Sequence, residues 1–120
     1  MMTNEVTASE RLQRALAYKN EGCYPEALTE LEALVALFPA EAEAHHQLGL
    51  VLGFTGDFDA SVEALRQAVV LEPSNMLLHN DLALTYTMLG MFDEAKQEFA
   101  CVLQHDRDNQ VALRNMTYLH

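Results

Sequence analysis

Residues 49–58 read GLVLGFTGDF, and residues 83–92 read ALTYTMLGMF. Both stretches open on a small residue, run through an apolar segment, and place a Gly two positions before an aromatic. The second begins 34 residues after the first. Self-similarity at a fixed period marks a chain built from stacked supersecondary units. A slide of 34 brings in a third copy upstream, with no insertion or deletion. Gly22, Gly56 and Gly90 align, as do Tyr24, Phe58 and Phe92. So do Ala27, Ser61 and Ala95; Tyr18, Leu52 and Tyr86; and Leu31, Leu65 and Phe99. Pro39 matches Pro73, and Arg107 takes the third slot.

Each landmark has a mechanical reason. Gly22, Gly56 and Gly90 fall between apolar-periodic segments, where a helix must stop and the chain must turn. Glycine accepts the left-handed conformation that such a helix end needs. Pro25, Asp59 and Asp93 follow three residues on. Proline suits a first helical turn because its missing N–H was unpaired there anyway, and the acids complement the positive helix N-terminus. Ala15, Gly49 and Ala83 face Ala27, Ser61 and Ala95, so the two helices of one unit can approach closely. Pro39 and Pro73 end the second helices, and Asn75 and Asn109 cap the helices that follow. The pattern predicts first helices at 9–20, 42–54, 76–88 and 110–119, and second helices at 25–37, 59–71 and 93–105. Such a hairpin cannot bury its apolar face alone and stacks on its neighbours as a solenoid.

This pattern resembles the tetratricopeptide repeat (TPR) family, whose signature is a 34-residue unit with W-x2-L-G-x2-Y, then A-x3-F, then P. The first unit matches at Ala15, Tyr18, Gly22, Ala27, Leu31 and Pro39. The second matches at Gly49, Ser61, Leu65, Ala68 and Pro73. The third matches at Leu82, Ala83, Tyr86, Gly90, Ala95 and Phe99. The family's Trp position holds Arg11, His45 and His79. Arg14 stands where Leu is usual, Leu34 and Val102 where a small residue is common, and the third unit lacks the closing Pro. The expectation is an all-α fold over 1–120: a right-handed α-solenoid of three TPR-like hairpins, at about 8–41, 42–75 and 76–109. A terminal helix at 110–120 closes it.

Composition narrows the function. At 120 residues, half of them hydrophobic, the chain can bury a core. Its net charge of −11 opposes nucleic acid, whose phosphates call for Lys and Arg, and anionic membranes. No apolar run of about 18 residues is present, and the first residues carry no apolar leader. Two cysteines, Cys23 and Cys101, form no metal spacing and fit a reducing compartment. The expected location is cytoplasmic. No phosphate loop, GxSxG or HExxH occurs, so no enzyme, cofactor or metal is expected. His45 and His79 sit about one helix spacing (~10 Å) apart with no third ligand, and packing explains them better.

The resemblance implies that the first helices line a concave groove. One rung would be Leu16, Leu50, Leu84 and Tyr118; a second Leu12, His46, Asn80 and Arg114; a third Ser9, Glu43, Leu77 and Val111. Lys19, Asn20, Phe54, Thr87 and Met88 would add the helix ends. Such a groove suits an apolar segment or amphipathic helix of a protein partner, although Leu at helical spacing also serves as plain core. Some family members clamp C-terminal carboxylates with Lys, Asn and Arg on these rungs. Here Leu12, Leu16, His46 or Gln47, Leu77 and Asp81 stand in those places, and Asp81 would repel an acidic tail.

Seven acids, Glu26, Glu30, Asp59, Glu63, Asp93, Glu94 and Glu98, belong to the second helices or their starts, the outer face, where they favour solubility or a basic partner. Leu113 and Met116 of the last helix have no following helix to pack on, so self-association through that end is the alternative expectation. Small bacterial secretion chaperones of three such repeats are a further resemblance, but only about seven residues precede the first unit here.

Overall fold

The computed structural model describes residues 7–119. Seven helices follow one another: α1 Ala8–Asn20, α2 Tyr24–Leu37, α3 Ala42–Phe54, α4 Phe58–Leu71, α5 Met76–Met88, α6 Phe92–His105 and α7 Gln110–Tyr118. The first helices stand where the spacing predicts them, within a residue. The second helices each begin one residue early, because Tyr24, Phe58 and Phe92 join the first turn. Within hairpins α1 packs on α2, α3 on α4 and α5 on α6. Between hairpins α2 packs on α3, α4 on α5 and α6 on α7, which draws the body out to 59 × 27 × 20 Å. This is an all-α solenoid of three paired-helix units plus a final helix.

The turns are three copies of one device. Gly22, Gly56 and Gly90 have φ of 78°, 87° and 76°, the left-handed region where a Cβ is penalised. The backbone N–H three residues past each of these helices reaches back to it: Cys23 N–H donates to Tyr18 O at 2.8 Å, Asp57 to Leu52 O at 2.9 Å and Met91 to Tyr86 O at 2.9 Å. This Schellman arrangement satisfies carbonyls that a helix end leaves open. At the other ends, the side chains of Thr7, Asp57, Asn75 and Asn109 accept backbone N–H groups as N-caps. The caps expected at Asn75 and Asn109 are therefore present.

Two apolar clusters carry the stack. Ala15, Ala27, Leu31, Leu34, Ala44 and Val51 form one; Val62, Leu65, Leu82, Ala83, Tyr86, Ala95, Phe99, Val102 and Ala112 form the other. Leu34 and Val102, larger than the family's usual residue, are fully absorbed. The small positions are tightest in the second hairpin. A Cβ on Gly49 would lie 2.7 Å from Leu65 Cγ and 3.2 Å from Ser61 O. The buried Ser61 hydroxyl donates to Gly49 O at 2.6 Å, so burial leaves it no unpaired donor. In the family's Trp position, His45 and His79 each set Nε2 against a carbonyl six residues back, Pro39 O at 2.9 Å and Pro73 O at 2.7 Å. His79 also meets Glu98 Oε1 at 2.7 Å.

Candidate functional site

Leu50 and Phe54 are four residues apart on α3, and Leu84 and Met88 are four apart on α5, so each pair shares one helix face. These four side chains line a cleft of about 180 Å³ between α3 and α5. Gly49 and Gly53 form its backbone wall, Phe58 and Ser61 close it from α4, and Asp81 and Thr85 add polar groups. Phe54 and Met88 are 58% and 65% exposed, so the cleft opens to solvent through apolar lips.

A polar chain crosses the same face from α1 to α5. Lys19 Nζ donates to Gln47 Oε1 at 2.8 Å, and Gln47 Nε2 donates to Glu43 Oε1 at 2.6 Å. His46 Nδ1 faces Glu43 Oε1 at 3.3 Å, and its Nε2 meets Asp81 Oδ2 at 2.6 Å. Both ring nitrogens of His46 thus face carboxylates, which only accept when ionised. Burial, at 4% exposure, pulls the His46 pKa down. The Asp81 hydrogen bond and the charges of Glu43 and Asp81 outweigh it, and the net result lies above the usual imidazole value.

The two junctions between hairpins differ at this face. At the first, Lys19 lies 5.8 Å from the Phe54 ring centroid, and the Tyr24 ring stands 5.6 Å from Phe54. Shift by 34 and Lys19 becomes Gly53, Gln47 becomes Asp81, Phe54 becomes Met88 and Tyr24 becomes Phe58. All four of these second-junction residues line the cleft. The cleft is open because Gly53 has no side chain: a Cβ there would meet only Ser61 Oγ, at 3.4 Å.

The expected groove residues therefore divide. Leu50, Phe54, Leu84 and Met88 come together in the cleft. Lys19 and His46 belong to the polar chain, and His46 is consumed by internal partners. Asn80 is buried; its Nδ2 donates to Asn109 Oδ1 at 3.1 Å, and its Oδ1 has no partner among the described residues. Leu12 packs on the first apolar cluster and lines a separate hollow with Ser9, Leu34 and Ala44. Leu16 is half-buried, as is Thr87, whose hydroxyl donates to Ala83 O. Asn20, Leu77, Arg114 and Tyr118 are exposed and lie outside the cleft. Gly53, Phe58 and Thr85 are not among the residues expected from the sequence. The alignment of Lys19 with Gly53, set beside that of Gln47 with Asp81, is the signal that points to them.

A family model described as Tetratricopeptide repeat matches residues 42–75, the second hairpin. The chain belongs to the tetratricopeptide repeat family. A TPR repeat-containing protein of Pseudomonas aeruginosa is 33% identical over 106 residues, covering 88% of this chain and 42% of the relative. A lipoprotein NlpI homolog of Haemophilus influenzae is 28% identical over 106 residues, covering 88% of this chain and 34% of the relative. The chain thus spans less than half the length of these two curated relatives. Among solved structures, the first TPR of Spaghetti (RPAP3), described as bound to an HSP90 peptide, superposes with a TM-score of 0.87 at 18% identity. That match covers 93% of this chain and 89% of that one. A crystal structure of MamA gives 0.83 at 23% identity, over 88% and 62%. At these identities the likeness establishes the TPR fold. Among the described residues no helix is long and apolar enough to cross a membrane, and no three His, Cys, Asp or Glu gather as a metal site.

Proposed function

We propose that this TPR module is a non-catalytic binding unit that takes a peptide or amphipathic helix of a protein partner across the face of α1, α3 and α5. The observation that carries this is the cleft of Leu50, Phe54, Leu84 and Met88, open at a junction where the preceding junction is filled. An apolar side chain inserted there would be worth about 1.5–3 kcal/mol of burial. The similar structure described with an HSP90 peptide supports the reading. Asp81 in the wall turns this cleft away from acidic tails.

The test is retention of partners from native lysate by the wild type and by a Leu50→Glu, Leu84→Glu double variant shown to be folded by circular dichroism. A protein held by the wild type and lost by the variant supports the groove. Equal retention by both sinks it.

A second reading rests on the last helix. Leu113 is 42% exposed on α7 and Phe92 49% exposed on α6, although Met116 packs on the second apolar cluster. On this reading a second copy covers that end, and the chain is an assembly block. Sedimentation at rising concentration should then show dimers that Leu113→Glu abolishes; a monomer throughout rejects it.

A further inference from the structure

The chain contains its own template for what the cleft accepts. At the first junction a lysine reaches across from one hairpin to the next. Its ammonium stands over the Phe54 ring, 5.8 Å from the centroid, and donates to the Gln47 side-chain oxygen at 2.8 Å. At the second junction the slot of the lysine carries no side chain, and the other three slots hold different residues. Phe58 stands for Tyr24, Met88 for Phe54 and Asp81 for Gln47, while Gly53 leaves the arm out. The acceptor has also changed from a neutral amide to a carboxylate, the stronger partner for an ammonium.

We propose that the α3–α5 cleft is a receptor for a lysine side chain of the partner, held where Lys19 is held at the preceding junction. The ammonium would meet Asp81, and the stem would lie on Leu84, Met88 and Phe58. His46 Nε2 takes Asp81 Oδ2, and a carboxylate keeps further acceptor sites for the incoming cation. Among the described residues neither Asp81 nor Glu43 pairs with a Lys or Arg of this chain. Two carboxylates, Glu43 and Asp81, share the one imidazole of His46, and the negative charge left over favours a basic over an acidic partner. This inference rests on the groove reading above and specifies its anchor.

The experiment uses two amidated 12-residue helical peptides, identical with two Leu four apart, one carrying a central Lys and the other norleucine. Binding is followed through the Gly53 and Thr85 amide resonances and the Asp81 carboxyl carbon. The Lys peptide should shift all three and bind about tenfold more tightly, a difference of about 1.4 kcal/mol. Asp81→Asn should erase that advantage. Gly53→Lys, which restores the template's own arm, should shift the Asp81 carbon with no peptide present and block the Lys peptide. Equal affinity for the two peptides, with both lost in the Leu50→Glu, Leu84→Glu variant, overturns the lysine receptor and leaves the groove standing. No shift at the cleft from either peptide at millimolar concentration overturns both. An unmoved Asp81 carbon in Gly53→Lys overturns the lysine receptor independently of any ligand.

Discussion

At the first junction Lys19 spans from α1 to α3, over Phe54 and onto Gln47; at the second, the equivalent slots of Gly53, Met88 and Asp81 enclose an open cleft. The helices and turn geometry are the same on both sides. The differences are a side chain missing at Gly53, an acid at Asp81 where Gln47 has an amide, Met88 in the place of Phe54 and Phe58 in the place of Tyr24. In a repeat protein the conserved slots maintain the stack, and a slot that departs from its own copies is where a site can form.

The largest effect should separate the two glycines of α3, which lie four residues apart. Gly49→Ala would push a Cβ to within 2.7 Å of Leu65 Cγ, and Leu65 is fully buried. Overpacking costs about 1–3 kcal/mol, against a helix gain of up to about 1 kcal/mol, so urea denaturation should show a net loss. Gly53→Ala meets only Ser61 Oγ at 3.4 Å and should instead gain up to about 1 kcal/mol. The same sign for both would break the distinction between a closed contact and an open cleft.

A smaller effect belongs to the filled junction. Lys19→Ala removes a cation–π contact of about 0.5–1 kcal/mol at such a site, and the stability loss should stay in that range. No loss at all would mean that Lys19 does not hold the first junction shut.

The smallest effect is the pH dependence of the link between α3 and α5. The folded pKa of His46 is raised above the ordinary 6.5, so the native state holds this proton more firmly than the unfolded chain. Its contribution is full below 6.5 and fades as pH rises through the folded value. Glu43 on its own helix and Asp81 on α5 set the sign; the nearest cation along the polar chain, Lys19, is three hydrogen bonds away through Gln47 and Glu43. The urea midpoints of wild type and His46→Gln should lie furthest apart at pH 6 and converge toward pH 9. A constant gap contradicts it.

The fold was legible because its signals are stereochemical. Gly22, Gly56 and Gly90 stand where only a left-handed residue turns the chain, and Ala15, Gly49 and Ala83 stand where helices nearly touch. The site was half legible. Leu50 and Leu84 on a rung, and Phe54 and Met88 at the helix ends, come from the family resemblance carried along the 34-residue spacing. Two things escape that spacing. His46 pairs with Asp81, 35 residues away, one beyond the repeat period, so aligning equivalent slots does not pair them. The cleft itself is a missing side chain at Gly53, and an absence shows only when the copies are compared slot by slot.

The contacts between helices run chiefly between neighbours in sequence, and this bears on how the molecule opens. Closing short loops is fast and entropically cheap, so low contact order predicts rapid folding that can start at any hairpin. Opening should proceed from the ends. The nine-residue α7, which buries fully only Ala112, should exchange its amide hydrogens first, while α3 and α4 keep theirs longest. The cleft lies between α3 and α5, in the slow-exchanging middle, so fraying of α7 can proceed without disassembling the cleft.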